Sequence, residues 1–230
     1  MRTDILRWGG IFCLLLAALF AVVTVLGFTM DVNIYEDNDV DKLLTDINDN
    51  QELFGAWSVL GMTTSLLFVP AALGFFYAAR EEDRPFLALP GGFFALAAAV
   101  SVVGYGMGVL LPGVAEDYVG ATGVTRDALL HDGENLQSMV LIFGGVAFTP
   151  FALGMLAIGV LSLRSGFYSR WLAWATIAVG VLGALPFIGF VAIIPGRILW
   201  LLVSGVIMLQ RARSSEEPSA AVARPSTMSA

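Results

Sequence analysis

The chain has 230 residues, of which 57% are hydrophobic and only 13% charged, and its net charge is −7. A water-soluble domain carries about 25% charged residues, so the composition excludes one and implies a membrane protein whose length is counted in spans of roughly 20 residues. The single cysteine, Cys13, excludes an internal disulfide, and the single histidine, His131, excludes bis-histidine haem ligation and H-E-x-x-H zinc chemistry.

In chain order, apolar runs predict membrane spans over about 8–28, 54–77, 86–111 and 139–163, each long enough to cross a hydrocarbon core of about 30 Å. The first follows a basic start, Met1-Arg-Thr-Asp-Ile-Leu-Arg7, and lacks an A-x-A cleavage site, so it reads as a retained helix. Between Asp39 and Asn50, the residues Val40, Leu43, Leu44 and Ile47 recur at i, i+3, i+4 and i+7. This spacing predicts a short amphipathic helix on the outer membrane surface or capping the bundle. Thr125–His131 is expected to form a similar piece, stopped by Gly133. The final run, Trp171–Leu209, is interrupted by Pro186 and by Pro195-Gly196. As one helix it would reach roughly 58 Å, so it reads as two spans, 171–186 and 193–209, joined by a tight turn near 186–192. The expected fold is all-α: a polytopic bundle of six transmembrane helices over residues 1–212, then a disordered cytoplasmic tail, 213–230, rich in Ser, Pro and Ala.

Charge orients the bundle. With the N-terminus inside, Arg2, Arg7, Arg80, Arg84, Arg164, Arg170, Arg211, Arg213 and Arg224 face the cytoplasm, against Lys42, Arg126 and Arg197 on the other side. This asymmetry satisfies the positive-inside rule for an even number of spans with both termini cytoplasmic. Acid gathers at the opposite end, from Asp31 to Glu52 and from Glu116 to Glu134. Asp37, Asp39 and Asp41 imitate the start of an EF-hand loop, but Lys42 stands where Gly is required and Asn48 where the bidentate Glu belongs. The acidic stretch therefore reads as a solvated face, and no metal or other cofactor is expected.

Leu67-Phe-Val-Pro-Ala-Ala-Leu-Gly74 in the second span recurs as Ala147-Phe-Thr-Pro-Phe-Ala-Leu-Gly154 in the fourth, which aligns Pro70 with Pro150 at an offset of 80 residues. This suggests an internal repeat of helix hairpins, both running from outside to inside. Each proline removes one backbone hydrogen bond and frees the carbonyl of Leu66 or Val146, so matched kinks are expected at these positions.

Three features, Phe68-Val-Pro-Ala-Ala-Leu-Gly74, Leu163-Arg-Ser-Gly-Phe-Tyr-Ser-Arg-Trp-Leu-Ala-Trp174 and the short helix before the second span, resemble the family called domain of unknown function 4386. Its members are small prokaryotic membrane proteins of six spans, and the likeness runs from about residue 8 to residue 212. The resemblance implies an architecture and a location in a prokaryotic plasma membrane, and it implies no activity.

Catalytic constellations are missing from the sequence. No G-x-S-x-G elbow or P-loop occurs, and the only lysine, Lys42, lies in an outer loop. The polar groups within the spans are Thr63, Thr64, Ser65, Ser101, Tyr105, Gln137, Thr149, Thr176 and Ser204, whose default role is packing through backbone hydrogen bonds. Gly91-Gly92, Gly104, Gly106, Gly108 and Gly144-Gly145 are expected to let helices approach closely. Arg197 is the only basic residue inside an apolar segment, roughly 21 Å above Arg211 on one helix. It is the candidate binding residue, with Glu52 and Glu134 as carboxylate partners at the mouth of a polar cavity; the alternative is that it snorkels toward the interface. The leading reading is a non-enzymatic accessory or structural protein that packs with lipid, another membrane protein or a second copy of itself. A small-solute or ion transporter, its cavity lined by the second and fourth helices, is the alternative, with a lipid-modifying enzyme behind both. No nucleic-acid partner is expected. A polar, hydrated interior favours the transporter, and a dry, apolar one the accessory protein.

Overall fold

The structure, a computed structural model, describes residues 2–30, 32, 34, 39–78, 84–185 and 188–222. Among them the helices are α1 (Arg2–Thr29), α2 (Val40–Asp49), α3 (Gln51–Ala78), α4 (Arg84–Gly120), α5 (Val124–Ser165), α6 (Arg170–Gly183) and α7 (Ile188–Val222). Five of them, α1, α3, α4, α5 and α7, contain stretches long and apolar enough to cross a membrane. The sixth expected span is shorter than its apolar run suggested. Helix α6 has 14 residues, a rise of roughly 21 Å that falls short of a 30 Å core. It stops three residues before Pro186, whose ring disfavours helical backbone at the residue before it.

Helix α2 forms where the periodicity placed it. Asp39 caps its start, accepting a hydrogen bond from the Lys42 backbone N–H at 3.3 Å. Leu43, Leu44 and Ile47 are fully buried against α4 and α5. Helices α4 and α5 have 37 and 42 residues, roughly 55 and 63 Å long, so both project well past a bilayer core. Their projecting ends bury Leu111, Ala115 and Tyr118 with α2 and with Phe54 and Trp57 of α3 in a second apolar core.

One expectation about a helix end is corrected here. Helix α5 runs unbroken through Gly133, which is buried and lies where a Cβ would press on the Leu44 side chain. This glycine seats α2 and does not stop a helix. Helix α7 is described to Val222. Residues 223–230 lie outside the described residues.

The main core joins α1, α3, α4, α5, α6 and α7. Helix α1 approaches its neighbours through glycine: a Cβ on Gly9 would lie 2.6 Å from Gly74 Cα of α3, and one on Gly10 would lie 2.9 Å from the Gly205 carbonyl oxygen of α7. Close backbone approach through small residues is how membrane helices gain packing without a hydrophobic driving force between them. Among the glycines expected to do this, Gly91, Gly92, Gly106 and Gly145 face open space, whereas Gly104 packs against Phe143 and Gly144.

Candidate functional site

A cavity of about 70 Å³ lies inside the bundle among α1, α3, α4, α5 and α7. It has room for water molecules. Its walls are mainly aromatic and small: Phe20, Phe68, Phe94, Ala97, Ala147 and Phe148 lie among its lining residues. Phe68, Phe94 and Phe151 pack in a mutual cluster with centroids 5.2–5.5 Å apart, within the range for favourable edge and tilted contacts.

Among the described residues Arg197 is the charged one in this lining. Its guanidinium carbon lies 3.5 Å from the centroid of Phe20 and 5.4 Å from that of Phe151. Cation–π contacts of this kind contribute about 2 kcal/mol when desolvated, comparable with the insertion cost of about 2.5–3.5 kcal/mol for an arginine at the centre of a membrane helix. The in-plane N–H donors of a guanidinium point away from a ring stacked on its face.

The structure does not bring the three sequence candidates together. Glu52 is exposed in the first turn of α3, and Glu134 faces His131 of its own helix at 3.4 Å. Neither lines the cavity. Roughly 25 Å of α5 separate Glu134 from Phe151, the residue of that helix beside Arg197. Charge complementarity pointed to Glu52 and Glu134; the guanidinium instead has the Phe20 and Phe151 rings beside it.

Hydroxyls complete the polar part of the lining. Ser65 donates to the Gly61 carbonyl at 2.8 Å, the local bond expected of a membrane-helix serine; Thr63, Thr64 and Thr176 behave likewise. Ser101 and Tyr105 differ. Both line the cavity, and among the described residues neither hydroxyl forms a hydrogen bond. The Tyr105 ring sits edge-on to Trp57 with centroids 5.2 Å apart and fills a notch at Gly61, where any Cβ would collide with it.

Pro70 and Pro150 lie inside unbroken helices. At the 80-residue offset Leu66 and Val146, Val69 and Thr149, and Leu73 and Leu153 are exposed and Ala71 and Phe151, and Gly74 and Gly154, are buried, whereas Leu67 and Ala147, Phe68 and Phe148, Pro70 and Pro150, and Ala72 and Ala152 differ in burial. Phe68 and its counterpart Phe148 both line the cavity.

At the acidic end, Asp41 accepts a hydrogen bond from the Tyr118 hydroxyl at 2.7 Å and pairs with Arg126 at 3.0 Å. These partners, the Tyr118 hydroxyl first, hold the Asp41 carboxyl below its ordinary range. The acid that resembled an EF-hand ligand thus ties α2 to α4 and α5. Asp39 caps α2, and Asp37 lies outside the described residues. No spacing rule links Asp41 to Tyr118 or Arg126, so the sequence did not show this cluster.

A family model described as a domain of unknown function, DUF4386, matches residues 10–212. The chain belongs to that family. No curated protein and no solved structure matches it. In this DUF4386 protein the stretch Leu163–Trp174 is the turn from α5 into α6. Gly166 takes the left-handed conformation at φ +68° and donates from its N–H to the Ser162 carbonyl, a frequent helix ending. Arg211 of α7 crosses to donate to the carbonyls of Gly166 and Phe167 at 3.3 and 2.7 Å. The other motif, Phe68–Gly74, contributes one wall of the cavity through Phe68 and the α1 crossing through Gly74.

Proposed function

We propose that this multi-pass membrane protein is a non-enzymatic transporter that carries a small solute through the cavity at Arg197. The observation supporting this reading is a guanidinium inside the bundle, facing a cavity with two hydroxyls, Ser101 and Tyr105, that have no protein hydrogen bond among the described residues. An intramembrane arginine is expensive, and a polar cavity is the setting in which such residues serve solute pathways. The recurrence of the Pro70 motif at Pro150 is consistent with a duplicated pair of hairpins with the solute between them, as in transporters built from parallel repeats. Exposed apolar faces such as Leu66, Leu73, Ile142 and Trp174 are what lipid contact requires of any membrane helix, so they do not favour an accessory role. In this reading the protein sits in a prokaryotic plasma membrane, both termini are cytoplasmic, and the acidic α2 end faces outward.

The test is flux into proteoliposomes across a panel of small neutral, anionic and cationic solutes, with Ala147→Phe as a cavity plug. Ala147 is buried in the cavity wall, so a ring there fills the space. At least one solute should enter faster than into protein-free vesicles, and the plug should remove that excess. Rates equal to those of empty vesicles for the whole panel would overturn the proposal.

A further inference from the structure

We infer that the seam between α3 and α4 is the path by which a small solute carrying hydroxyl or amide groups passes between the cavity and the α2 end of the bundle, with Tyr105 as its inner gate. This rests on the transport reading and adds to it a route, a gate and a class of solute. Three observations support it.

The first is register. Ser58, Gly61 and Ser65 recur on α3 at i, i+3 and i+7, and Ser101, Tyr105 and Gly108 on α4 at i, i+4 and i+7, so each set lies on one helix face. The two faces meet. A Cβ on Gly61 would collide with the Tyr105 ring, and one on Gly108 would lie 2.8 Å from the Ser58 hydroxyl oxygen. These pairs run in opposite chain directions, and continuing them by one turn sets Ser65 level with Ser101, both of which line the cavity.

The second is an orphan group. Thr63, Thr64 and Ser65 each donate to a carbonyl one turn back. The Ser58 hydroxyl is fully buried, faces Gly108 and has no hydrogen-bond partner among the described residues. A buried hydroxyl left unsatisfied is destabilising. On a solute path it gains a partner whenever the path is occupied.

The third is the obstacle. The Tyr105 ring, seated in the Gly61 notch and edge-on to Trp57, stands between the level of Ser58 and the level of Ser65 and Ser101. It is the side chain that must turn for the cavity to reach Ser58. Beyond Ser58, Phe54 and Leu111 of the second apolar core close the seam at the α2 end. Hydroxyls donate and accept alike, so the seam can replace the hydration of a solute's hydroxyl or amide groups.

The experiment is flux of glycerol and urea into proteoliposomes of the full chain, beside potassium and chloride, with the apparent Tm of each variant measured in detergent. Glycerol or urea should enter faster than into protein-free vesicles. Ser58→Ala should cut that excess about 5-fold, the effect of one hydrogen bond, while Tm stays level or rises because the unsatisfied hydroxyl is gone. Gly108→Val fills the seam over Ser58 and should remove the excess. Tyr105→Ala should raise it and admit sorbitol, which the unaltered protein excludes. Gly106→Ala, whose Cβ meets open space, should leave it unchanged. If Gly108→Val does not fold, Ser58→Ala and Tyr105→Ala decide the matter. An excess blocked by Ala147→Phe but untouched by Ser58→Ala and Tyr105→Ala, or one confined to the ions, overturns the path and leaves transport standing. A lower Tm for Ser58→Ala with unchanged flux assigns its hydroxyl to packing and also overturns the path. No excess for any solute removes the transport reading itself, and the path with it.

Discussion

The guanidinium carbon of Arg197 stands 3.5 Å from the centroid of the Phe20 ring, so α7 and α1 meet at the cavity through a cation over an aromatic face. This contact couples the position of the charge to the packing of two helices that are distant in sequence. Replacing Phe20 with leucine keeps an apolar side chain and removes the face. Phe20→Leu is expected to lower stability by about 1–2 kcal/mol, read as a lower apparent Tm in detergent, whereas Phe20→Tyr should stay near the unaltered protein. Equal losses in the two variants would show that the ring face contributes nothing.

Gly61 and Gly106 make a contrasting pair within the same bundle. A Cβ at Gly61 meets the Tyr105 ring, while one at Gly106 meets open space. Gly61→Ala is therefore expected to displace Tyr105 and cost about 1–3 kcal/mol through overpacking. Gly106→Ala should be neutral or stabilising by up to about 1 kcal/mol, since alanine is the better helix former. Thermal unfolding of the two variants side by side checks the contrast.

Gly74→Ala tests the α1–α3 crossing, where the obstacle is backbone. The nearest atom to its Cβ would be Gly9 Cα at 2.6 Å, and backbone cannot rotate aside as a flexible side chain can. Destabilisation at the upper end of the overpacking range, about 3 kcal/mol, is expected. Expression and monodispersity in detergent should fall together, and a normal elution profile with unchanged Tm would contradict the crossing.

Asp41 gives stability a pH dependence whose sign follows from its partners. Its folded carboxyl titrates below the ordinary value because the Tyr118 hydroxyl and then the Arg126 guanidinium favour the ionised form. The contribution is complete above the unfolded value of about 4 and is lost as pH falls from there through the lower folded value. The Tm difference between the unaltered protein and Asp41→Asn should be flat from pH 5 to pH 8 and shrink below about pH 4. A difference that stayed constant down to pH 3 would mean that the carboxylate form contributes nothing to the clamp.

How much of this was legible in the sequence depends on which interactions decide each element. Helix α2 was readable because Val40, Leu43, Leu44 and Ile47 record one buried face in local spacing. The long apolar helices were readable because the bilayer sets a length, yet their ends were not. The expected spans ended at 111 and began at 139 where polarity rises, while α4 continues to Gly120 and α5 begins at Val124, because Tyr118, Leu129 and Leu130 find apolar partners in the second core. Arg197 stood out as a lone charge, but its neighbours did not. Phe20 and Phe151 are two of 16 phenylalanines, and nothing in their local sequence marks them as facing a cation. Among the close-packing glycines Gly104 and Gly108 were named from the sequence, but Gly9 was not: its contact with Gly74 exists only after α1 and α3 cross.

The central claim is that the cavity at Arg197 is open to water and passes a small solute. The measurement that reaches it most directly is the reaction rate of a single cysteine at position 101, Ser101→Cys, in a protein whose buried Cys13 is replaced by alanine. Small anionic and cationic methanethiosulfonate reagents of similar size are compared in intact proteoliposomes. The account predicts that the cysteine reacts and that Ala147→Phe, whose ring fills the cavity, slows the reaction by roughly tenfold, equivalent to about 1.4 kcal/mol. A cysteine inert to both reagents, or one whose rate Ala147→Phe leaves unchanged, would contradict it.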